Sequence, residues 1–183
     1  QSAEKNILAC LKNGISVVSG TTGWKFNEEK IEKICKQNNV GFFYSSNYSL
    51  GMNVFVQINK KLAELLNHFE NYSVRIEESH HIQKLDKPSG TAITLVKDII
   101  ENHDKFSEWE LSDRTKIPKI GIKSIREGEI VGEHKIIWES EIDKIIIEHE
   151  AKTRDGFALG AVIASEFLNK KTGIYKMSDL FNF

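Results

Sequence analysis

The chain is 183 residues long, 40% hydrophobic and 28% charged, with a formal net charge of −1 at pH 7. That is an ordinary globular composition, enough for one large domain or two small ones. It offers no basic field for a nucleic acid backbone and no apolar run long enough to span a bilayer, and no signal peptide is expected. The two cysteines, Cys10 and Cys35, form neither a CxxC pair nor a disulfide framework, which fits a reducing cytoplasm.

The opening stretch, with no initiator Met, reads as a helix already under way, with Ile7, Leu8 and Leu11 as its apolar stripe. Ile15 to Val18 is a β-branched run that ends in Gly20-Thr21-Thr22-Gly23, the pattern of a buried strand feeding a Gly-rich turn. Asn27 caps a helix over Glu28 to Asn38 that carries Ile31, Ile34 and Cys35 at helical spacing. Val40 to Tyr44 is a second strand, with "SSNYSLG" as its loop. A long helix follows from Gly51 to Glu70, with Phe55, Ile58, Leu62, Leu65, Leu66 and Phe69 expected on its buried face. Alternating strands and helices predict a parallel sheet here.

Beyond this point the pattern changes. Tyr72 to Glu78 alternates as a strand, and a helix over Gly90 to Asn102 buries Ala92, Leu95, Val96, Ile99 and Ile100. Strands are expected over Ile117 to Ile125, Ile130 to Glu139 and Ile142 to Glu150, joined by short turns into a mostly antiparallel or mixed sheet. A last helix runs from Gly156 to Asn169, with Phe157, Ala161, Ala164 and Leu168 inward. The fold class expected is therefore α/β, in two parts. Residues 1–50 and about 157–183 would form a partial Rossmann-like domain. Residues 51–156 would form an α+β domain with a mixed β-sheet, the boundary falling near Ser49 to Asn53.

Three segments carry chemistry. "SGTTG" ends a parallel strand, where backbone amides and hydroxyls can meet a nucleotide, although a tight turn alone would explain its glycines. It is not the GxGxxG fingerprint, which the chain lacks. "SSNYSLG" ends the neighbouring strand, so the two loops would line one cleft; a solvated polar loop is the plainer alternative. "EESHHIQKLDKPSGTA" is the strongest. Ser89 can cap the helix that begins at Gly90, leaving the Gly90 and Thr91 amides to bind a carboxylate. His80, His81 and Lys84 arrive from the other side, a cation and two proton-exchanging rings. The pattern suits an anionic small molecule that must be protonated. No Cys or further carboxylate-His spacing completes a zinc set, so no metal is expected. His134 and His149 carry a weaker signal, and His149 reads as a structural strand residue. Arg154 precedes the last helix and can reach an anion.

The central segment resembles the signature of dihydrodipicolinate reductase, Glu-x-His-His-x-x-Lys-x-Asp-x-Pro-Ser-Gly-Thr-Ala. Glu78, His80, His81, Lys84, Asp86, Pro88, Ser89, Gly90, Thr91 and Ala92 match it. "SGTTGW", "SSNYSLG", "GEIVGEH" and "TRDGFALGA" match further segments in the family's order, so the resemblance covers nearly the whole chain. It implies a cytoplasmic homotetramer of lysine and diaminopimelate biosynthesis, reducing a cyclic unsaturated dicarboxylate with NADH or NADPH. It implies His80 as acid/base residue and Lys84 as proton donor. His81, Ser89, Gly90 and Thr91 would bind substrate. Gly20, Thr21, Thr22, Ser45, Ser46, Asn47, Tyr48 and Arg154 would meet the cofactor. Lys87 stands where the family has Ala. The family also opens with a strand, a phosphate-binding loop and further βα units, so roughly 50–70 residues of such a half are expected to precede the segment matching Gln1. Two other readings compete. One is a cofactor-free dicarboxylate-binding or assembly module, which the missing Gly-rich loop favours and the His-His-Lys set opposes. The other is a nicotinamide dehydrogenase acting on an amino acid semialdehyde, which would place a Cys in a loop where this chain has none.

Overall fold

In a computed structural model, which describes residues 2–181, the chain divides into two compact units. Residues 1–53 and 155–183 make the first, and residues 54–154 make the second.

The first unit is built on a three-stranded parallel sheet, β1 (Val17–Ser19), β2 (Gly41–Tyr44) and β8 (Gly173–Tyr175), in the order β1-β2-β8. Helix α1 (Ala3–Lys12) buries Ile7 and Leu11, and α2 (Glu28–Asn38) buries Ile31 and Cys35 around Val40 and Phe42. Asn27 caps α2 by accepting a hydrogen bond from the Lys30 amide at 2.8 Å. Trp24, Phe26, Phe42 and Tyr44 pack ring against ring beside this core. Helix α5 (Asp155–Phe167) packs Ala164 with Phe43, Tyr48 and Leu168, and the short α6 (Met177–Phe181) closes that core with Met177. Gly160 permits the fit, since a methyl there would lie 1.7 Å from the Tyr48 carbonyl oxygen.

The second unit is a five-stranded sheet, β4 (Glu108–Leu111), β5 (Lys119–Arg126), β3 (Ser73–His80), β6 (Glu133–Glu139) and β7 (Lys144–Glu150), in that order. It is mixed. β4 and β3 run parallel to β5, whereas β6 runs antiparallel to both β3 and β7. Helix α4 (Gly90–Asn102) packs Ala92, Leu95, Val96 and Ile99 on the face that carries Val74, Ile76, Ile120, Ile122 and Ile136. Burying each such Ile or Leu contributes about 1.5–3 kcal/mol.

The long helix α3 (Leu50–Leu66) departs from expectation. Its buried positions are Met52, Phe55, Asn59, Ala63 and Leu66, while Ile58 and Leu65 are about half exposed, as is Phe69, which lies beyond the helix end rather than in a helix reaching Glu70. Phe55 and Leu66 are buried as expected and Leu62 is half-buried, but the rest of the stripe is rotated away because Asn59 is a core residue. Its amide donates to the Leu95 carbonyl at 3.0 Å and so satisfies a helix-to-helix contact. Phe157 on α5 is likewise exposed at 40%, with Gly160 taking the inward position. Neither β4 nor β8 was expected; both are four residues or fewer and carry little alternation. The strands on either side of "REGEIVGEH" do not pair with each other, because β3 lies between them.

Candidate functional site

The site in the second unit follows from strand period. Along β3 the side chains alternate, so Val74, Ile76, Glu78 and His80 share the buried face. The first two are core. At the carboxyl end of the strand the face turns polar. Register then supplies neighbours: Glu78 pairs with Ser124 on β5 and His134 on β6, and His80 pairs with Arg126.

Glu78 is fully buried, which alone would push its carboxyl upward, yet contacts from His80, Arg126 and Ser124 outweigh burial and hold it at about 2. Its Oε2 lies 2.5 Å from His80 Nδ1 and its Oε1 lies 2.9 Å from Arg126 Nη2. His134 is also buried, and desolvation, reinforced by the neighbouring His80, pushes it down to about 3, so this ring stays neutral. Its Nε2 is 3.2 Å from Ser89 Oγ, and its ring meets that of His80 edge-on at 5.2 Å. Glu78, His80 and His134 could in principle share a metal ion. Arg126, whose cation already engages the carboxylate, makes that pocket unfavourable for a second positive charge.

Ser89 does two jobs. It caps α4, accepting from the Ala92 amide at 3.2 Å, and it faces His134. Helix geometry leaves the Gly90 and Thr91 amides without an intrahelical acceptor, and a methyl at Gly90 would meet nothing within 4 Å, so the helix start is open to an anion. Lys84 is about one quarter exposed and pairs with Asp86 Oδ1 at 2.9 Å, a contact that lowers the Asp86 carboxyl. Arg126 reaches back over the same loop, donating from Nε to the Lys84 carbonyl at 3.1 Å and from Nη2 to the Asp86 carbonyl. His81 follows the end of β3 and is half buried. His149 is half buried on β7, its ring 6.0 Å from Phe55.

In the first unit the two strand-end loops are joined. The Ser45 amide donates to the Ser19 carbonyl at 3.2 Å, and the Tyr48 hydroxyl points at the carbonyls of Ser19 (2.9 Å) and Phe43 (3.3 Å). Tyr48 is buried, and burial pushes its hydroxyl up to about 12. A methyl on Gly20 would crowd the Tyr48 ring at 3.3 Å. Ser45 and Asn47 brace the loop through Ser45 Oγ, which bonds the Asn47 carbonyl at 2.7 Å and accepts the Asn47 amide at 3.1 Å. The side chains of Thr21, Thr22 and Ser46 are exposed, as is Arg154 in the second unit. Thr21 is fixed through its carbonyl, which accepts from Trp24 Nε1 at 2.7 Å.

Sequence reading missed Arg126 and underrated His134. Glu78 was matched in the motif without a role, although period two from Val74 and Ile76 places it inward.

A parallel sheet with paired strand-end loops in one unit, and a buried His-Glu-Arg set beside a capped helix start in the other, defines the class: a two-unit α/β protein with a buried charged cluster at the carboxyl end of a mixed sheet. Comparison with known proteins narrows it. Residues 1–48 match the family model "Dihydrodipicolinate reductase, N-terminus" and residues 51–181 match "Dihydrodipicolinate reductase, C-terminus". The chain is 51% identical over 182 residues to the 4-hydroxy-tetrahydrodipicolinate reductase of Christiangramia forsetii, covering 100% of this chain and 76% of that protein. It is 40% identical over 185 residues to the enzyme of the same name from Buchnera aphidicola, covering 96% of this chain and 66% of that one. A solved structure of a dipicolinate-bound dihydrodipicolinate reductase from Paenisporosarcina sp. TG-14 shares the fold. It has a TM-score of 0.72 at 23% identity over 96% of this chain and 68% of that one. The chain belongs to the dihydrodipicolinate reductase family.

Proposed function

We propose that the chain carries out the reaction its relatives are named for. It would reduce 4-hydroxy-tetrahydrodipicolinate to tetrahydrodipicolinate with NADH or NADPH, in lysine and diaminopimelate biosynthesis, as a homotetramer in the cytoplasm. The family match supports the reductase over a cofactor-free binding module, and one structural observation carries the site: the buried Glu78–His80 contact beside the open start of α4.

In this reading residues 54–154 bind substrate and hold the subunit contacts, and residues 1–53 with 155–183 take part of the dinucleotide. The dinucleotide, when bound, supplies a hydride. The backbone at Gly20, Thr21, Thr22, Ser45, Ser46, Asn47 and Tyr48 suits it, being two joined loops at the carboxyl ends of parallel strands, and Arg154 adds a cation. The Gly90 and Thr91 amides and His81 hold a substrate carboxylate, with Ser89 shaping the helix start. The substrate's 4-hydroxyl leaves as water and hydride adds to the unsaturated ring carbon so exposed; the electron pair this leaves on the substrate takes up the proton that Lys84 delivers, and His80 exchanges protons beside it.

The test is calorimetric. Pyridine-2,6-dicarboxylate, the aromatic dicarboxylate related to the substrate, should bind saturably. Lys84→Ala should weaken it at least about tenfold, a loss of about 1.4 kcal/mol, and NADH should tighten it. Binding that ignores Lys84→Ala would remove the substrate site from this loop.

A further inference from the structure

The inference rests on the reading above, in which His80 exchanges a proton during the reduction. An imidazole has two nitrogens, and here their surroundings differ. Nδ1 faces a carboxylate oxygen at 2.5 Å. Nε2 lies beside Gly132, where an added methyl would come within 3.2 Å of it, so the glycine leaves that nitrogen uncovered by a side chain. A neutral ring with a carboxylate at Nδ1 keeps its proton there and leaves the lone pair on Nε2.

Glu78 is not free to swing away. Its second oxygen lies against Arg126, whose side chain is 6% exposed. Arg126 also donates to the backbone carbonyls of Lys84 and Asp86. One guanidinium therefore touches the carboxylate behind His80 and the loop that carries Lys84. Folding alone gives little reason for such a set, because a buried charge pair loses to desolvation much of what it gains by attraction. A task that needs orientation gives a reason.

We propose that Glu78 and Arg126 are positioning residues of the reaction. Glu78 holds His80 as the Nδ1–H tautomer, with Nε2 as the atom that exchanges the proton. Arg126 locks Glu78 and the Lys84 loop together, so that both proton-handling side chains share one anchor. When Nε2 takes up a proton the ring becomes a cation, and the carboxylate already at Nδ1 compensates that charge.

The test reads the tautomer directly. Long-range ¹H–¹⁵N correlation spectra of the ¹⁵N-labelled chain, with the His80 signals assigned by their loss in His80→Asn, should show a protonated Nδ1 and a bare Nε2 when the ring is neutral. In Glu78→Gln the preference should relax. The kcat should fall about 10- to 100-fold, with the substrate KM changing less than about threefold. Glu78→Asp should restore part of both. Arg126→Lys should lower kcat and also weaken pyridine-2,6-dicarboxylate binding, because the Lys84 loop loses its anchor. A wild-type His80 found as the Nε2–H tautomer would overturn the proposal without any variant. So would a Glu78→Gln protein that keeps both tautomer and kcat. A wild-type chain without turnover would sink the functional reading instead, since the spectra alone decide the tautomer.

Discussion

The charge set around Glu78 makes a quantitative claim about acid stability. Its carboxyl falls from an ordinary 4.5 to about 2 on folding, burial opposing the change and His80, Arg126 and Ser124 driving it. At about 1.4 kcal/mol for each tenfold change in proton affinity, that is roughly 3 kcal/mol. The folded state binds this proton more weakly than the unfolded chain. The contribution is therefore fully present above about pH 4.5 and is lost as pH falls toward 2. Other carboxylates titrate in the same window, among them Asp86, whose carboxyl is lowered by Lys84. A single acid-unfolding curve would mix them. Comparing wild type with Glu78→Gln isolates the one group. At pH 7 the variant leaves Arg126 buried without its counter-charge and should be less stable by about 3–5 kcal/mol. The gap should shrink by roughly 3 kcal/mol between pH 5 and pH 2, as the wild-type carboxylate takes up its proton. Urea unfolding followed by circular dichroism at half-unit pH steps measures it. A gap that stays constant across that range would show that Glu78 is not held as a buried carboxylate, and the relay with His80 and Arg126 would fail with it.

Gly160→Ala should destabilise the first unit by about 2–4 kcal/mol, because the new methyl would fall 1.7 Å from the Tyr48 carbonyl and neither backbone can give. Helix preference alone would favour Ala by about 1 kcal/mol, so an unchanged or raised urea midpoint would refute the close approach. Ser89→Ala should cost about 1–2 kcal/mol in the same assay through loss of the α4 cap. It should also change the His134 imidazole ¹⁵N shifts, since Ser89 Oγ is 3.2 Å from that ring; a silent His134 would mean the contact is not formed.

What could be read in the sequence was what lies within one element. The cap at Asn27, the helix over Gly90–Asn102 and its Ser89 cap are local events between residues three or four apart, and they stand as read. The stripe on α3 was legible only in part. Phe55 and Leu66 are core as expected, but Ile58, Leu65 and Phe69 are not, and only the partner helix reveals that Asn59 has a buried carbonyl to satisfy. The same limit governs the site. Strand period shows that Glu78 and His80 lie on one face with Val74 and Ile76, which is already odd for a core strand. Nothing local says what neutralises them. Arg126 is opposite His80 only because β5 pairs parallel with β3, and His134 is opposite Glu78 only because β6 pairs antiparallel on the other side. A parallel partner must come from a distant part of the chain, so its side chains leave no spacing signature. A candidate side chain such as His80 can therefore be found by its motif. The groups packed against it have to be found by asking, of each buried charge, which strand stands beside it.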